Sequence, residues 1–355
     1  MMTSDSIKTL LLPFETGECT LPSPERGLFL RAEAHITLDQ NWKDKLLCVQ
    51  SFKPQYDALM RGGFKCAVQV PLDRQFDVVL VRLTKHKQES LGLIALSLKA
   101  LAKDGFLHVA GAKDEGVESI EKLIKQHFGS IETRSKNHAR TFWLKKPDTL
   151  PEVVESWVQA LEPKSNVEGY VTATGMFSHA KIDAGSKLLA EHMLPVIKGR
   201  VADFGAGWGY LSREILARCP AIQKLDLYEA EANALECAKL NLNLGLPSPP
   251  VGEGGSRSET GKGSITFNWL DITSGAIPTA YDFIVMNPPF HEGKSTQISL
   301  GQGFIQAASK ALKPGGRLFM VANRQLPYEA ILKAVFSNIR ILADENGFKV
   351  FDAKR

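Results

Sequence analysis

Nothing in this chain of 355 residues supplies a covalent or metal staple. Its five cysteines, Cys19, Cys48, Cys66, Cys219 and Cys237, are scattered, odd in number and without a CxxC pair. That pattern excludes a disulfide framework and a structural zinc site, predicts no metal, and suits a reducing compartment. A long hydrophobic run is also missing. The stretch Met1 to Phe14 holds only Leu10, Leu11 and Leu12 with Pro13 behind them, too short for a signal-peptide core or a membrane span. The expectation is a cytoplasmic protein with no membrane partner. Charge of one sign is scarce too: 43 Lys and Arg against 39 Asp and Glu leave a formal +4, which permits a polyanionic partner without demanding one. What the composition does hold is ordinary globular material, 44% hydrophobic and 23% charged, at a length that suggests two domains. No cue fixes an oligomeric state, and a monomer is the default.

The two halves echo each other. Residues 76–111 and 281–322 both open with an aromatic-Asp pair and an apolar run. A polar loop follows, then a Leu-Gly start to an apolar helix ending in Lys-Ala-Leu, a Gly turn and a second apolar run. The period switches from strand to helix and back, which is a βαβ unit, and runs such as Phe283 to Met286 suit a parallel sheet buried on both faces. The fold class predicted is α/β: two tandem Rossmann-like domains with mainly parallel sheets, 1–160 and 161–355. The linker is placed between Lys146 and Gly169, where Pro147, Pro151 and Pro163 punctuate the chain. Residues 247–264, rich in Gly, Pro and Ser, read as a loop inserted into the second domain.

Only the second half carries a cofactor signature. Val201 to Phe204 run as a strand into Gly205-Ala206-Gly207-Trp208-Gly209, and a helical pattern follows from Leu211. Glycines there allow a tight turn and close approach of a ligand to the main chain, although a lone GxGxG fits plain turns as well. Glu229, ending a second strand, is placed to accept from two ribose hydroxyls. Asp271, after a third strand, is a candidate for the adenine amino group and equally a good helix cap. Asp203, inside the turn, is taken as a cofactor-binding residue, the alternative being that it organises the backbone of the turn through an Asx-type bond; either way it shapes the pocket. The first-half counterpart is taken to be Leu46 to Phe52, which has no glycine turn. That half is therefore predicted to be degenerate, without cofactor, and to dock the substrate.

The strongest signal is Asn287-Pro288-Pro289-Phe290, directly after the strand Tyr281 to Met286. At the carboxyl end of a parallel strand this loop overlies the ligand crevice. Methylating an amino nitrogen conjugated to a ring requires its lone pair to be aimed. The Asn287 side-chain oxygen and the Pro288 carbonyl each accept one N–H and so pin the amine. The prolines stiffen the loop, and Phe290 offers a face for a base to stack on. The reaction that fits is methyl transfer from S-adenosylmethionine. Its first-half counterpart is Arg82-Leu83-Thr84-Lys85. His291 and Glu292 are read as loop residues first, because this displacement needs orientation more than proton transfer.

Three motifs carry a resemblance. They are Met176-Phe177-Ser178 with Asp183-Ala184-Gly185-Ser186 and Leu188-Leu189, then Asn287 to Gly293, then Val321 to Tyr328. Together they resemble the RsmC/RlmG family of bacterial ribosomal RNA guanine-N2 methyltransferases, two-domain proteins whose first domain lacks cofactor. The resemblance implies that Phe177, Ser178, Asp183 and Gly185 help close the cofactor pocket. It also implies ribosomal RNA or the small ribosomal subunit as partner, with 16S rRNA the expected substrate. Ala206 and Trp208 depart from the family's usual glycine turn. A basic stretch supports RNA contact: Lys122, Lys125, Arg134, Lys136, Arg140, Lys145 and Lys146 against one acid, Glu132, with His127, His138, Phe142 and Trp143 nearby. The loop alone also suits a large-subunit rRNA methyltransferase, a protein glutamine-N5 methyltransferase, or a DNA adenine-N6 enzyme. A non-catalytic RNA-binding assembly factor is the alternative from another class.

Overall fold

The computed structural model describes residues 5–193, 196–243, 264–289 and 294–355. Phe290, His291 and Glu292 lie outside these residues, as does the inserted loop up to its last residue, Ser264. The chain divides into two compact units, Met1–Pro163 with Ala173–Gly175, and Lys164–Thr172 with Met176–Arg355.

The first unit contains β1 (Gly27–Leu30), β2 (Leu46–Val49), β3 (Lys65–Ala67), β4 (Phe76–Arg82), β5 (Leu101–Ala112), β6 (Glu132–Lys136) and β7 (Ala139–Lys145). They lie side by side in the order β3-β2-β1-β4-β5-β7-β6. A two-stranded hairpin, β8 (Lys164–Ser165) with β9 (Val171–Thr172), opens the second unit. Its main sheet is made of β10 (Gly199–Phe204), β11 (Ile222–Glu229), β12 (Ser264–Trp269), β13 (Tyr281–Met286), β14 (Leu312–Asn323), β15 (Asn338–Glu345) and β16 (Phe348–Lys354). Their order is β12-β11-β10-β13-β14-β16-β15, the same permutation. In both sheets five strands run parallel and the last two pair antiparallel.

Register makes the correspondence residue by residue. Leu30 of β1 faces Val49 and Val81; Phe204 of β10 faces Tyr228 and Met286. The strands are apolar on both faces because helices cover both, and Leu80, Val81, Ile284 and Val285 are fully buried. The helices Lys87–Ala100 and Lys294–Ala311 make the crossovers that parallel neighbours require.

Two sequence readings change here. The stretch read as linker contains the helix Val153–Gln159, which buries Val154 and Trp157 in the first unit's core. Just after it, Leu161 packs where a Cβ on Gly92 would stand, 2.3 Å from Leu161 Cγ. Proline spacing marked the ends of this helix, not an open tether. Second, the counterpart of the glycine turn follows β1, not β2. The register equates Arg31 with Gly205, and β2 corresponds to β11. β1 and β2 are both four residues long, so the run alone does not tell which of them leads into the turn.

Candidate functional site

The second unit's glycine turn leaves β10 at Gly205, and Gly205, Gly207 and Gly209 all have positive φ, at 73°, 54° and 88°. An L side chain is strained in that region, so glycine is the natural occupant. The turn is tied to β11: the Gly205 and Ala206 amides donate to the Tyr228 carbonyl at 2.8 and 3.1 Å. Glu229 then anchors it from above, Oε2 accepting from the Gly207 amide at 2.7 Å and Oε1 from the Glu231 amide at 2.8 Å. Each oxygen keeps a second lone pair for a ligand hydroxyl. Burial pushes the Glu229 carboxyl above its ordinary value, offset in part by these amides. A Cβ on Gly207 would meet nothing within 4 Å, so there is room beside the turn for a ligand.

Asp203 is not the Asx residue of the second reading. It lies within β10, fully buried, with Oδ2 accepting from Ser212 Oγ at 2.7 Å on the helix Tyr210–Arg218. Its Oδ1 is buried without a partner. Burial pushes this carboxyl up to about 7, assisted by the charge of Glu229 and opposed by the Ser212 hydroxyl. Asp271 caps no helix but closes a turn: Oδ1 accepts from the Thr273 amide and hydroxyl at 2.9 and 2.7 Å, Oδ2 from Ser274 Oγ at 2.7 Å. A contact to adenine would have to share those acceptors.

Asn287 emerges at the end of β13 with both amide hydrogens engaged. Nδ2 donates to Asp183 Oδ2 at 2.9 Å and to Ser186 Oγ at 2.8 Å, while Oδ1 is buried and unpartnered. Pro288 is buried and Pro289 exposed. Asp183 also caps the helix Ala184–Met193, accepting from the Ser186 amide at 2.8 Å. Gly185 is packed against β16: a Cβ there would lie 2.9 Å from Phe348 Cε1 and 3.1 Å from Asp183 Oδ2. Its lack of a side chain lets this helix approach the strand. Upstream, Ser178 adopts a positive φ of 50° and Phe177 is 45% exposed. Trp208 fastens this segment: its indole N–H donates to the Phe177 carbonyl at 3.1 Å, and its ring packs on Tyr170 at 4.9 Å between centroids. The bulk of Trp208 is therefore a strut under the Phe177 segment. Sequence reasoning assigned no part to Ser186, Ser212 or this strut. For Ser186 a signal existed, because its position three residues after Asp183 is capping spacing.

Comparison with known proteins bears on this arrangement. Residues 169–352 match the model of the methyltransferase small domain, and 36–160 match that of the methyltransferase small domain N-terminal region. Ribosomal RNA small subunit methyltransferase C of Shewanella sp. (strain MR-4) is 30% identical over 304 residues, 84% of this chain and 82% of that protein. The protein of the same name from Shewanella loihica is 30% identical over 80% of this chain and 78% of its own. The chain belongs to the RsmC/RlmG family of methyltransferases. The structure of the family's 16S rRNA N2 methyltransferase RsmC from T. thermophilus, solved with AdoMet and guanosine, superposes with a TM-score of 0.77. At 21% identity the overlay spans 98% of this chain and 91% of that one, and it carries the two-unit fold.

Within this family fold the first unit has none of the site's groups. Counting along the paired strands, Phe29 stands where the second unit has Asp203, Arg31 for Gly205, Glu33 for Gly207, Gln50 for Glu229 and Arg82 for Asn287. Gln50 even mimics Glu229, its Oε1 accepting from the Phe52 amide at 2.9 Å, while Nε2 donates to the Ala32 carbonyl at 2.6 Å. Arg82 pairs with Glu115 at 3.0 Å and Glu33 at 3.7 Å.

The basic stretch is more committed than it looked. Lys125 and Arg140 both pair with Glu121, Arg134 with Glu18, Lys145 with Asp104, and Lys146 donates to the Leu101 carbonyl. Phe142 and Trp143 are core residues, at 0% and 6% exposure, so neither offers a stacking face. Lys122 and Lys136 remain exposed. Among the described residues no His/Cys/Asp/Glu group could hold a metal, and no helix is long and apolar enough to cross a membrane.

Proposed function

We propose that this protein transfers a methyl group from S-adenosylmethionine to the exocyclic N2 of a guanine in 16S ribosomal RNA. The observation that carries the reaction class is Asn287 Oδ1, a buried acceptor with no partner at the carboxyl end of β13. Such an atom costs roughly 1–3 kcal/mol to leave unpaired, which fits an acceptor reserved for a substrate donor. The substrate class comes from the family, through relatives named for small-subunit ribosomal RNA and a fold neighbour solved with guanosine.

A guanine amino group offers two N–H donors. Asn287 Oδ1 takes one and the Pro288 carbonyl the other, which holds the nitrogen with its lone pair projecting out of the ring plane. The residues fit the cofactor. The open space at Gly207 and the spare lone pairs of Glu229 together make a cradle for a ligand with hydroxyl groups. Bound there, S-adenosylmethionine supplies a sulfonium methyl carbon open to attack. Asn287 and Pro288 would present the nitrogen's lone pair to that carbon, and no protein base would be needed because the methylated amine sheds its extra proton to water. Asn287 and Pro288 orient; neither takes a proton. The first unit, with Arg31 and Arg82 at the equivalent positions, binds no cofactor in this reading and docks the RNA.

The test is labelled methyl transfer to naked 16S rRNA, small subunits and large subunits, followed by nucleoside analysis. N2-methylguanosine from the small-subunit samples is the expected product. Label in a protein glutamine, in adenine, or only in large-subunit RNA would sink the proposal.

A further inference from the structure

We infer that Asp183 and Ser186 are positioning residues that fix which end of the Asn287 amide faces the substrate. The inference rests on the reading of Asn287 as the acceptor for the target amine. An asparagine amide is nearly symmetric in shape, and a half-turn of its final torsion exchanges the acceptor for a donor. A donor facing an amine that must itself donate would repel it, so the orientation decides whether the loop works.

The structure selects one orientation. Asp183 Oδ2 accepts from Asn287 Nδ2 at 2.9 Å and also from the Ser186 amide at 2.8 Å. A carboxylate only accepts, so it holds the NH2 end and rejects the oxygen. Ser186 Oγ accepts the second amide hydrogen at 2.8 Å, and its own residue is pinned by the same carboxylate. With both hydrogens engaged, Oδ1 is forced to the opposite side, where it is buried and unpartnered. Flipping the amide would place an oxygen against a carboxylate and lose that charge-assisted hydrogen bond; the Ser186 hydroxyl can rotate to donate to either end, so the carboxylate discriminates and Ser186 holds the plane of the amide. The site is thereby set before any substrate arrives. The family resemblance placed Asp183 among the cofactor contacts; the geometry places its Oδ2 on the catalytic asparagine.

Three variants test this in the full-length protein: Asp183→Asn, Asp183→Ser and Ser186→Ala. Asparagine at 183 can donate as well as accept, so it tolerates the flipped amide. Serine at 183 still caps the helix Ala184–Met193 but removes the carboxylate. Turnover at saturating S-adenosylmethionine and RNA is expected to fall about 100-fold in both Asp183 variants and about 10-fold in Ser186→Ala. Calorimetric cofactor affinity should stay within about threefold in all three. Cofactor affinity weakened more than tenfold with turnover kept at saturation would overturn the inference, since Asp183 would then be a cofactor contact. Wild-type turnover in Asp183→Asn or Asp183→Ser would overturn it as well. Asn287→Ala separates the two layers. If that variant is inactive while the Asp183 variants are fully active, only the orienting role fails; if it is fully active, the reading of the loop itself fails.

Discussion

The two units share one strand order and one register, and they part company at five matched positions. Where the second has Asp203, Gly205, Gly207, Glu229 and Asn287, the first has Phe29, Arg31, Glu33, Gln50 and Arg82. None of these changes disturbs the sheet. Phe29 is fully buried in an apolar core, Arg31 accepts the same left-handed turn at φ 55°, and Gln50 reproduces one of the Glu229 hydrogen bonds. The lesson is that the sheet and the site answer to different residues. Strand runs and crossovers build the frame, and a handful of strand-end groups decide whether it holds a ligand.

The sharpest way to break the comparison is to treat Asn287 and Arg82 as equivalents. Asn287→Ala should cut methyl transfer on the order of 1,000-fold with cofactor affinity nearly intact, whereas Arg82→Ala should leave transfer within about threefold. The cost of Arg82→Ala should appear instead in thermal unfolding, because Glu115 is 8% exposed and loses its guanidinium partner. Equal losses of transfer in the two variants would mean the first unit takes part in chemistry.

Next in size is the turn. Gly205→Ala adds a Cβ 3.2 Å from Phe304 Cε1 at a φ of 73° and should weaken S-adenosylmethionine binding roughly tenfold or more. Arg31→Gly should create no new binding, so calorimetric stoichiometry remains one cofactor per chain. A second equivalent bound in that variant would show that a single side chain blocks the first unit.

Asp203 against Phe29 yields a pH signature. A carboxyl pushed up to about 7 keeps its proton in the folded chain over a range where the unfolded chain, near 3.8, has lost it. The folded state binds more protons there, so stability falls as pH rises from about 4 to about 7 and then levels off. Denaturant unfolding of Asp203→Asn beside the wild type should show the variant gaining relative stability across that window. A constant difference from pH 4.5 to pH 8 would contradict it.

The smallest effect concerns RNA. Lys136→Glu should weaken binding a few-fold and lower the salt slope by about one. Arg140→Glu should act mainly on stability, because it would turn on Glu121, its present partner at 2.8 Å. Indistinguishable salt slopes in Lys136→Glu and wild type would remove this hairpin from the RNA surface.

Much of the fold was legible because parallel strands buried on both faces advertise themselves as unbroken apolar runs, as in Phe283 to Met286. The crossover helices and the Asn287 loop followed from the change of period. What escaped had physical causes. The β1 run was passed over for β2, a strand of the same four-residue length, because only the pairing register tells which of the two is central. Of the acids that neutralise the basic stretch, Glu121 stands just before it and was left outside the count, and Glu18 is 116 residues from Arg134. Asp203 looked like part of the turn because the strand ends one residue later, at Phe204. The orientation of Asn287 depends on Asp183, 104 residues away, a contact that no local pattern records.

The ion cluster of Arg82 with Glu33 and Glu115 also bears on how such a duplication ages. Once a guanidinium occupies the old amide position and two carboxylates have grown in around it, no single reversion is neutral. Restoring asparagine at 82 would strand a buried Glu115, and restoring glycine at 33 would leave Arg82 with one acid fewer. At this position the first unit's side chains depend on one another.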